Sequence, residues 1–403
     1  MTIDFAATKA RFHLPEGVVY LDGNSLGPML RTVPARVDRA VRAEWGEMLI
    51  RGWSGPDKGG AGWMAQPRLL GDRVGRLIGA SPATVVLGDT LSIKVYQALA
   101  AALELNPRRR VILSDTGNFP SDLYMAEGLC RSLGGQYRLR TVAPEEAMAA
   151  IDDEVAVVLL TEVDYRTGRR HQMTDLTRRA HEMGALTVWD LAHSAGAIPV
   201  DLAGADVDFA VGCTYKYLNA GPGAPAFIYV APRHLDAVRP ALSGWLGHAA
   251  PFAFDLSYRP GAGIERMRVG TPPVLALAAL EAALEVWDGV DMAEVHARSL
   301  RLQDQFIKGV ETRTTGLALA TPRSHLMRGA QVSFRHPEGH AIIQALIAEG
   351  VIGDFRAPDI LRFGFTPLFI DEDDVARAVA TLARIMEYAA WDKPAFKQRG
   401  AVT

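Results

Sequence analysis

Short apolar runs alternating with amphipathic stretches organise the first two thirds of the chain. Val85–Leu87, Val111–Leu113, Val155–Leu160, Ala185–Trp189, Val207–Val211 and Ala224–Val230 are almost wholly apolar, which predicts strands buried on both faces. Between them, helical patterns cover Gln66–Ile78, a stretch from Asp89-Thr90-Leu91-Ser92 to about Leu105, Pro120–Leu133 and Leu176–Met183. Strands alternating with helices predict an α/β fold with a mostly parallel sheet covered on both sides. Right-handed crossovers put the strand C-terminal ends on one edge, and ligands of such sheets bind outside that edge. Polar residues concentrate there: Asp89, Ser114-Asp115, Thr161-Glu162 and Asp190.

The flanking pattern differs. Val18–Leu21 is strand-like and runs into the turn Asp22–Pro28. A helical pattern spans about Pro34 to Leu49, and a glycine-rich loop from Arg51 to Gly62 ends at Trp63. Past Val230 come Gly244–His248 and Met267–Pro273, the latter preceding a helix to about Trp287. Helices over Met292–Thr312, Glu338–Ala348 and Asp373–Tyr388 then mix with strands over Gln331–Phe334 and Ile360–Phe365, which predicts a smaller α+β unit. The division is an N-terminal arm at 1–27, a large domain at 28–280 and a small C-terminal domain at 281–403. No low-complexity linker separates the last two, so they are expected to pack closely.

Composition narrows the class. The chain has 403 residues, 49% hydrophobic and 22% charged, with a net charge of −3. That is an ordinary globular balance, with no general basic field for nucleic acid. Arg108-Arg109-Arg110, the one tight basic run, leads into an apolar strand and reads as a solvated strand start. Two cysteines, Cys130 and Cys213, make neither a disulfide framework nor a zinc spacing. The N-terminus lacks the apolar core of a signal peptide, and no run approaches the ~20 apolar residues of a membrane helix. The expectation is a cytoplasmic protein with no metal, nucleic-acid or membrane partner.

The candidate chemistry gathers around Val207–Val230. Between its two apolar runs lie Tyr215-Lys216-Tyr217 and the turn Asn219-Ala220-Gly221-Pro222-Gly223. A lysine at a strand end, beside glycines that admit a ligand close to the backbone, suits a Schiff base with pyridoxal 5′-phosphate (PLP). By itself it reads equally as a surface lysine. PLP also needs an acid at the pyridine nitrogen, an aromatic on the ring and donors for the phosphate. Asp190 ends an apolar strand, and a buried carboxylate there calls for a cationic partner. Alone it reads as a capping or loop aspartate, and His193 as a structural histidine. The helix start at Leu91-Ser92 offers N–H groups and a hydroxyl to an anion, although capping uses the same groups. Phe119, ahead of Pro120-Ser121-Asp122, is either a ring-stacking aromatic or an ordinary core contact.

In combination these stretches are more specific. LDGNSLG (Leu21–Gly27), FPSD (Phe119–Asp122), DLAH (Asp190–His193), YKYLNAGPG (Tyr215–Gly223) and GWLGH (Gly244–His248) resemble the kynureninase family, of the class V group of fold-type-I PLP enzymes. The resemblance implies an aspartate-aminotransferase-like large domain and hydrolysis of the Cβ–Cγ bond of L-kynurenine to anthranilate and L-alanine. 3-Hydroxykynurenine, giving 3-hydroxyanthranilate, is the other substrate it admits, and either tryptophan breakdown or NAD supply is the setting. It makes Lys216 the Schiff-base lysine, Asp190 the acid at the ring nitrogen and Phe119 the stacking ring. Leu91, Ser92, Tyr215 and Thr161 would serve the phosphate side, and Asp122 and His193 would lie near the ring. Tyr215 is also the candidate proton donor. Arg362 would clamp the substrate α-carboxylate, a task suited to a planar fork. Trp245 and Thr271 would come from the neighbouring subunit of a homodimer with shared sites. Animal relatives that favour the 3-hydroxylated substrate carry histidine and asparagine where this chain has Trp63 and Thr271. Tryptophan cannot accept a hydrogen bond from a ring hydroxyl, which favours the unhydroxylated substrate. The alternative is another class V enzyme, a cysteine desulfurase or selenocysteine lyase, which needs a mobile catalytic cysteine.

Overall fold

The structure is a computed structural model that describes residues 3–55, 62–398 and 400. Part of the glycine-rich loop read between Arg51 and Gly62 lies outside the described residues.

A seven-stranded sheet forms from β1 (Val85–Leu87), β2 (Val111–Asp115), β3 (Arg138–Val142), β4 (Val155–Thr161), β5 (Leu186–Asp190), β6 (Phe209–Gly212) and β7 (Phe227–Val230). Their spatial order is β1-β7-β6-β5-β4-β2-β3. The pairs from β3 through β2, β4 and β5 to β6 are parallel, while β7 runs antiparallel to both β6 and β1. Side chains alternate between two cores, one on each face. Leu113, Leu160, Trp189, Ala210 and Tyr229 join one; Ile112, Leu159, Val188, Val211 and Ile228 join the other. Burial on both faces explains why these strands read as unbroken apolar runs. The helix Leu91–Leu105 covers one face with Val95, Ala98, Leu99 and Ala102; Gln66–Leu77 adds Leu70 and Val74 to the other.

The edge strand β3 is absent from the apolar pattern. Arg138 and Arg140 punctuate it and ion-pair with Glu154 and Asp152, so it carries the polarity of a sheet edge. The helical pattern from Pro34 also departs from expectation. Val33–Arg39 is α-helical, Ala40–Glu47 widens to π-helical turns, and Leu49–Trp53 tightens to 3₁₀.

The C-terminal part holds a four-stranded antiparallel sheet in the order Asp354–Arg356, Ile360–Gly364, Gln331–Arg335, Ala318–Leu319. Helices Met292–Arg313 and Gly339–Ala348 pack on it, and Glu372–Glu387 packs against these two helices. Leu302, Phe306, Ile342 and Leu382 belong to the same apolar cluster as Leu160 and Trp189, so the two sheets share a continuous core. The N-terminal arm crosses between them. Val19–Tyr20 pairs in parallel with Val351–Ile352, and Gly27 N donates to Tyr215 O at 2.8 Å. Among the described residues no helix is long and apolar enough to cross a membrane.

Candidate active site

The C-terminal ends of β4, β5 and β6 converge with two helix starts and the Arg362 strand on one cavity of about 210 Å³. Ten of the residues singled out from the sequence line it: Leu91, Ser92, Phe119, Asp122, Thr161, Asp190, His193, Tyr215, Lys216 and Arg362.

Lys216 sits in a turn braced from three sides. Thr214 Oγ1 donates to Pro225 O at 2.6 Å, Ala220 N to Thr214 O at 3.0 Å and Asn219 N to Lys216 O at 2.9 Å. Asn219 takes a left-handed φ of 59° there, and its amide donates to Tyr217 O at 2.9 Å. Gly27 presses on the outside of this turn. A Cβ at that position would stand 2.2 Å from Lys216 O, so only glycine fits. Lys216 Nζ is 3.0 Å from His193 Nε2 and faces the rings of Phe119 and Tyr215 at 6.0 and 5.8 Å. Burial and the Lys216 charge hold His193 well below the ordinary imidazole value. It is therefore neutral and accepts from Lys216, leaving Nδ1 buried without a partner.

Asp190 closes β5, buried, with Oδ1 accepting from Ala192 N at 2.9 Å. Burial pushes its carboxyl up to about 6 against the opposing pull of Lys216 and that N–H. Asp122 is buried beside it, raised by burial and then by the Asp190 charge, and its Oδ2 has no partner. Thr161 is the register partner of Asp190, and its hydroxyl lies 3.4 Å from Asp190 O. Burial, then the neighbouring Cys213, holds the Tyr215 phenol above its ordinary value, so it stays protonated.

Two helix starts meet on the opposite wall. Thr90 precedes Leu91 and Phe119 precedes Pro120, and neither N-cap side chain bonds the helix N–H groups. Ser92 Oγ and Ser121 Oγ are 2.9 Å apart. Phe119 meets Tyr165 edge-on at 5.1 Å between centroids.

Arg362 is buried and almost fully engaged. Nε donates to Asp354 Oδ1 at 2.6 Å, Nη1 to Tyr165 O at 2.6 Å and Nη2 to Ser25 Oγ at 3.0 Å, with Asp354 Oδ2 a further partner of Nη2. Arg356 lies alongside and shares Asp354 at 2.7 Å.

Three residues singled out from the sequence stand elsewhere in the single chain. Trp245 and Trp63 flank Trp53, edge-on at 6.0 and 6.2 Å. Trp63 Nε1 donates to Glu44 Oε2 at 3.2 Å, and its ring covers Gly52. Thr271 lines a separate cavity with Asp89 and Lys94. Conversely, Asn24, Ser25, Ser121, Tyr165 and Arg356 line the Lys216 cavity without having been assigned a role. Asn24 and Ser25 belong to the LDGNSLG stretch and Ser121 to FPSD, so motif membership was their available signal. Tyr165 and Arg356 carried none.

The residues fit PLP. A lysine, a buried acid in no ion pair among the described residues, an aromatic face and two uncapped helix starts meet in one cavity, beside orphaned polar atoms of Asp122 and His193. Solved structures share the fold. A cysteine desulfurase from Thermococcus onnurineus NA1 matches with a TM-score of 0.81 at 18% identity, covering 96% of this chain and 99% of that one. An Escherichia coli cysteine desulfurase matches with a TM-score of 0.79 at 18% identity, covering 96% and 100%. Fold and site together define a fold-type-I PLP enzyme. A family profile described as the kynureninase C-terminal domain matches residues 295–382. A kynureninase of Burkholderia pseudomallei is 50% identical over 99% of this chain and 96% of its own length. One of Deinococcus radiodurans is 52% identical over 95% and 93%. The chain belongs to the kynureninase family.

Proposed function

We infer that this protein is a PLP-dependent hydrolase of a carbon–carbon bond, cleaving L-kynurenine at Cβ–Cγ to anthranilate and L-alanine. The observation that carries the reading is the meeting of Lys216, Asp190 and Arg362 in one cavity, in a chain half identical to kynureninases over nearly its whole length.

Bound PLP supplies an aldehyde that condenses with amines and a ring that takes up electrons from Cα. Lys216 Nζ is the amine that would hold it and, when free, the base that would accept the Cα proton. Neutral His193 keeps that nitrogen aimed through the 3.0 Å contact. Asp190, at the end of β5, neutralises the protonated ring nitrogen. Leu91 N–H and Ser92, with Tyr215 and Thr161, would hold the phosphate, and Phe119 would stack on the ring. Arg362, oriented by Asp354 and Ser25, takes the α-carboxylate with its remaining donor and by exchange at Ser25. Tyr215, held protonated, is the donor to the leaving Cβ.

Trp245 and Thr271 complete the neighbouring site of a homodimer in this reading, and Trp63 favours L-kynurenine over 3-hydroxykynurenine. The arm, large and small domains divide at 1–27, 28–280 and 281–403, and the enzyme works in the cytoplasm, apart from membranes and nucleic acid. Persulfide chemistry is disfavoured, because both cysteines of the chain are buried free thiols. The test is anthranilate fluorescence after adding L-kynurenine to the PLP-loaded protein, beside consumption of 3-hydroxykynurenine and a Lys216→Ala control. Anthranilate from the wild type alone supports the reaction and the lysine together. A yellow protein that turns over neither substrate overturns the reading.

A further inference from the structure

A second cavity, of about 280 Å³, lies on the other side of the Leu91–Leu105 helix start and is lined by Asp89, Thr90, Lys94, Arg268 and Thr271 among others. Lys94 has no exposed surface. Its ammonium donates to Asp89 Oδ2 at 3.0 Å, Gln97 Oε1 at 2.9 Å and Met267 O at 3.4 Å. Gln97 Nε2 donates to the same Met267 carbonyl at 3.2 Å. Three donors meet three acceptors, the condition under which a buried ammonium is tolerated.

The acceptors belong to different parts of the chain. Asp89, in a left-handed conformation with φ of 55°, sets the turn that leads through Thr90 to Leu91 and Ser92 at the Lys216 cavity. Met267 closes the Gly263–Met267 turn and leads to Thr271. Ser92, read as a phosphate-side group, and Thr271, read as a residue of the neighbouring site, occupy different cavities of one chain, yet the segments that lead to them are bonded, at Asp89 and Met267, to the same buried nitrogen.

We propose that Lys94 is a positioning residue shared by two active sites. It fixes the Asp89–Ser92 turn at the cofactor phosphate of its own subunit and the Met267–Thr271 loop at the active site of the partner. The inference rests on the reading that Thr271 serves the neighbouring site. Hybrid dimers test both separately, because only a subunit with Lys216 develops the yellow Schiff-base absorbance on titration with PLP. The reference pairs wild type with Lys216→Ala. The first hybrid pairs Lys94→Met with Lys216→Ala, so the altered residue is in the reporting subunit. The second pairs wild type with Lys94→Met/Lys216→Ala, so the altered residue lies across the interface. The third pairs wild type with Thr271→Ala/Lys216→Ala.

PLP affinity at the reporting site is expected to fall about tenfold in both Lys94 hybrids, the scale of one lost charge-assisted hydrogen bond. An unaltered second hybrid beside a weakened third overturns the role of Lys94 across the interface. An unaltered third hybrid overturns the shared-site reading on which the proposal rests. If Lys94→Met alone does not fold, Asp89→Asn/Lys94→Met removes both charges together and replaces it in the same pairings.

Discussion

Asp190→Asn is expected to make the cofactor-free protein more stable while abolishing its response to PLP. The substitution preserves shape, and the new amide oxygen can still accept from Ala192 N, 2.9 Å away in the wild type. What it removes is a buried charge. Burial raises the Asp190 carboxyl from 3.8 to about 6. An acid whose folded pKa lies above its unfolded value binds an extra proton between the two. The cofactor-free wild type therefore loses stability as pH rises from about 4 to about 6, and stays at the lower level above that. Roughly two pKa units correspond to about 3 kcal/mol. Cofactor-free Asp190→Asn escapes this loss, so it should exceed the wild type by up to ~3 kcal/mol at neutral pH, with the two converging near pH 4. Saturating PLP should reverse the order, because the carboxylate then has a cationic partner that asparagine cannot neutralise. Thermal midpoints of both proteins, with and without PLP, measured across this pH range, supply the comparison. Cofactor-free midpoints that run parallel through the window would refute the reasoning. They would mean that Lys216 already satisfies the Asp190 charge before any ligand arrives.

Three further outcomes follow from the same geometry. Arg362→Lys keeps a charge but cannot hold Asp354 and a substrate carboxylate together, so kcat/KM should fall about 100-fold, mainly through KM, with PLP loading unchanged by absorbance. Tyr215→Phe removes the protonated phenol beside Lys216; kcat should drop ~10²–10⁴-fold in steady-state assays while PLP still binds. Gly27→Ala would place a methyl 2.2 Å from Lys216 O and 2.4 Å from Asn219 Oδ1. It should destabilise the fold by about 1–3 kcal/mol in denaturation experiments and weaken the Schiff-base absorbance.

The sheet was legible because a strand covered on both faces has little choice of composition, and β1, β2 and β4–β7 all obey that constraint. β3 escaped because an edge strand is free to carry Arg138 and Arg140. At the site, Lys216 and Asp190 were identifiable through their motifs and Arg362 only through the family resemblance, and the cavity joins the three with seven more of the residues singled out from the sequence. Tyr165 and Arg356 were not, since one contributes a backbone carbonyl and an edge-on ring and the other shares a carboxylate fixed by folding. Neither role has a local sequence pattern. The widened turns over Ala40–Glu47 were hidden for a related reason: helical spacing shows that a helix exists but not the pitch it takes.

The N-terminal arm links the lysine turn mechanically to the C-terminal sheet. Ser25 holds Asp354, Leu21 N donates to Ile352 O, and Gly364 N donates to Leu21 O, contacts that tie residues 21–25 to the C-terminal sheet. The same arm carries Gly27 onto the carbonyl of Lys216. The segment that braces the lysine turn from outside is thus also hydrogen-bonded to the C-terminal sheet, so loosening that sheet is transmitted along the arm to the carbonyl of Lys216.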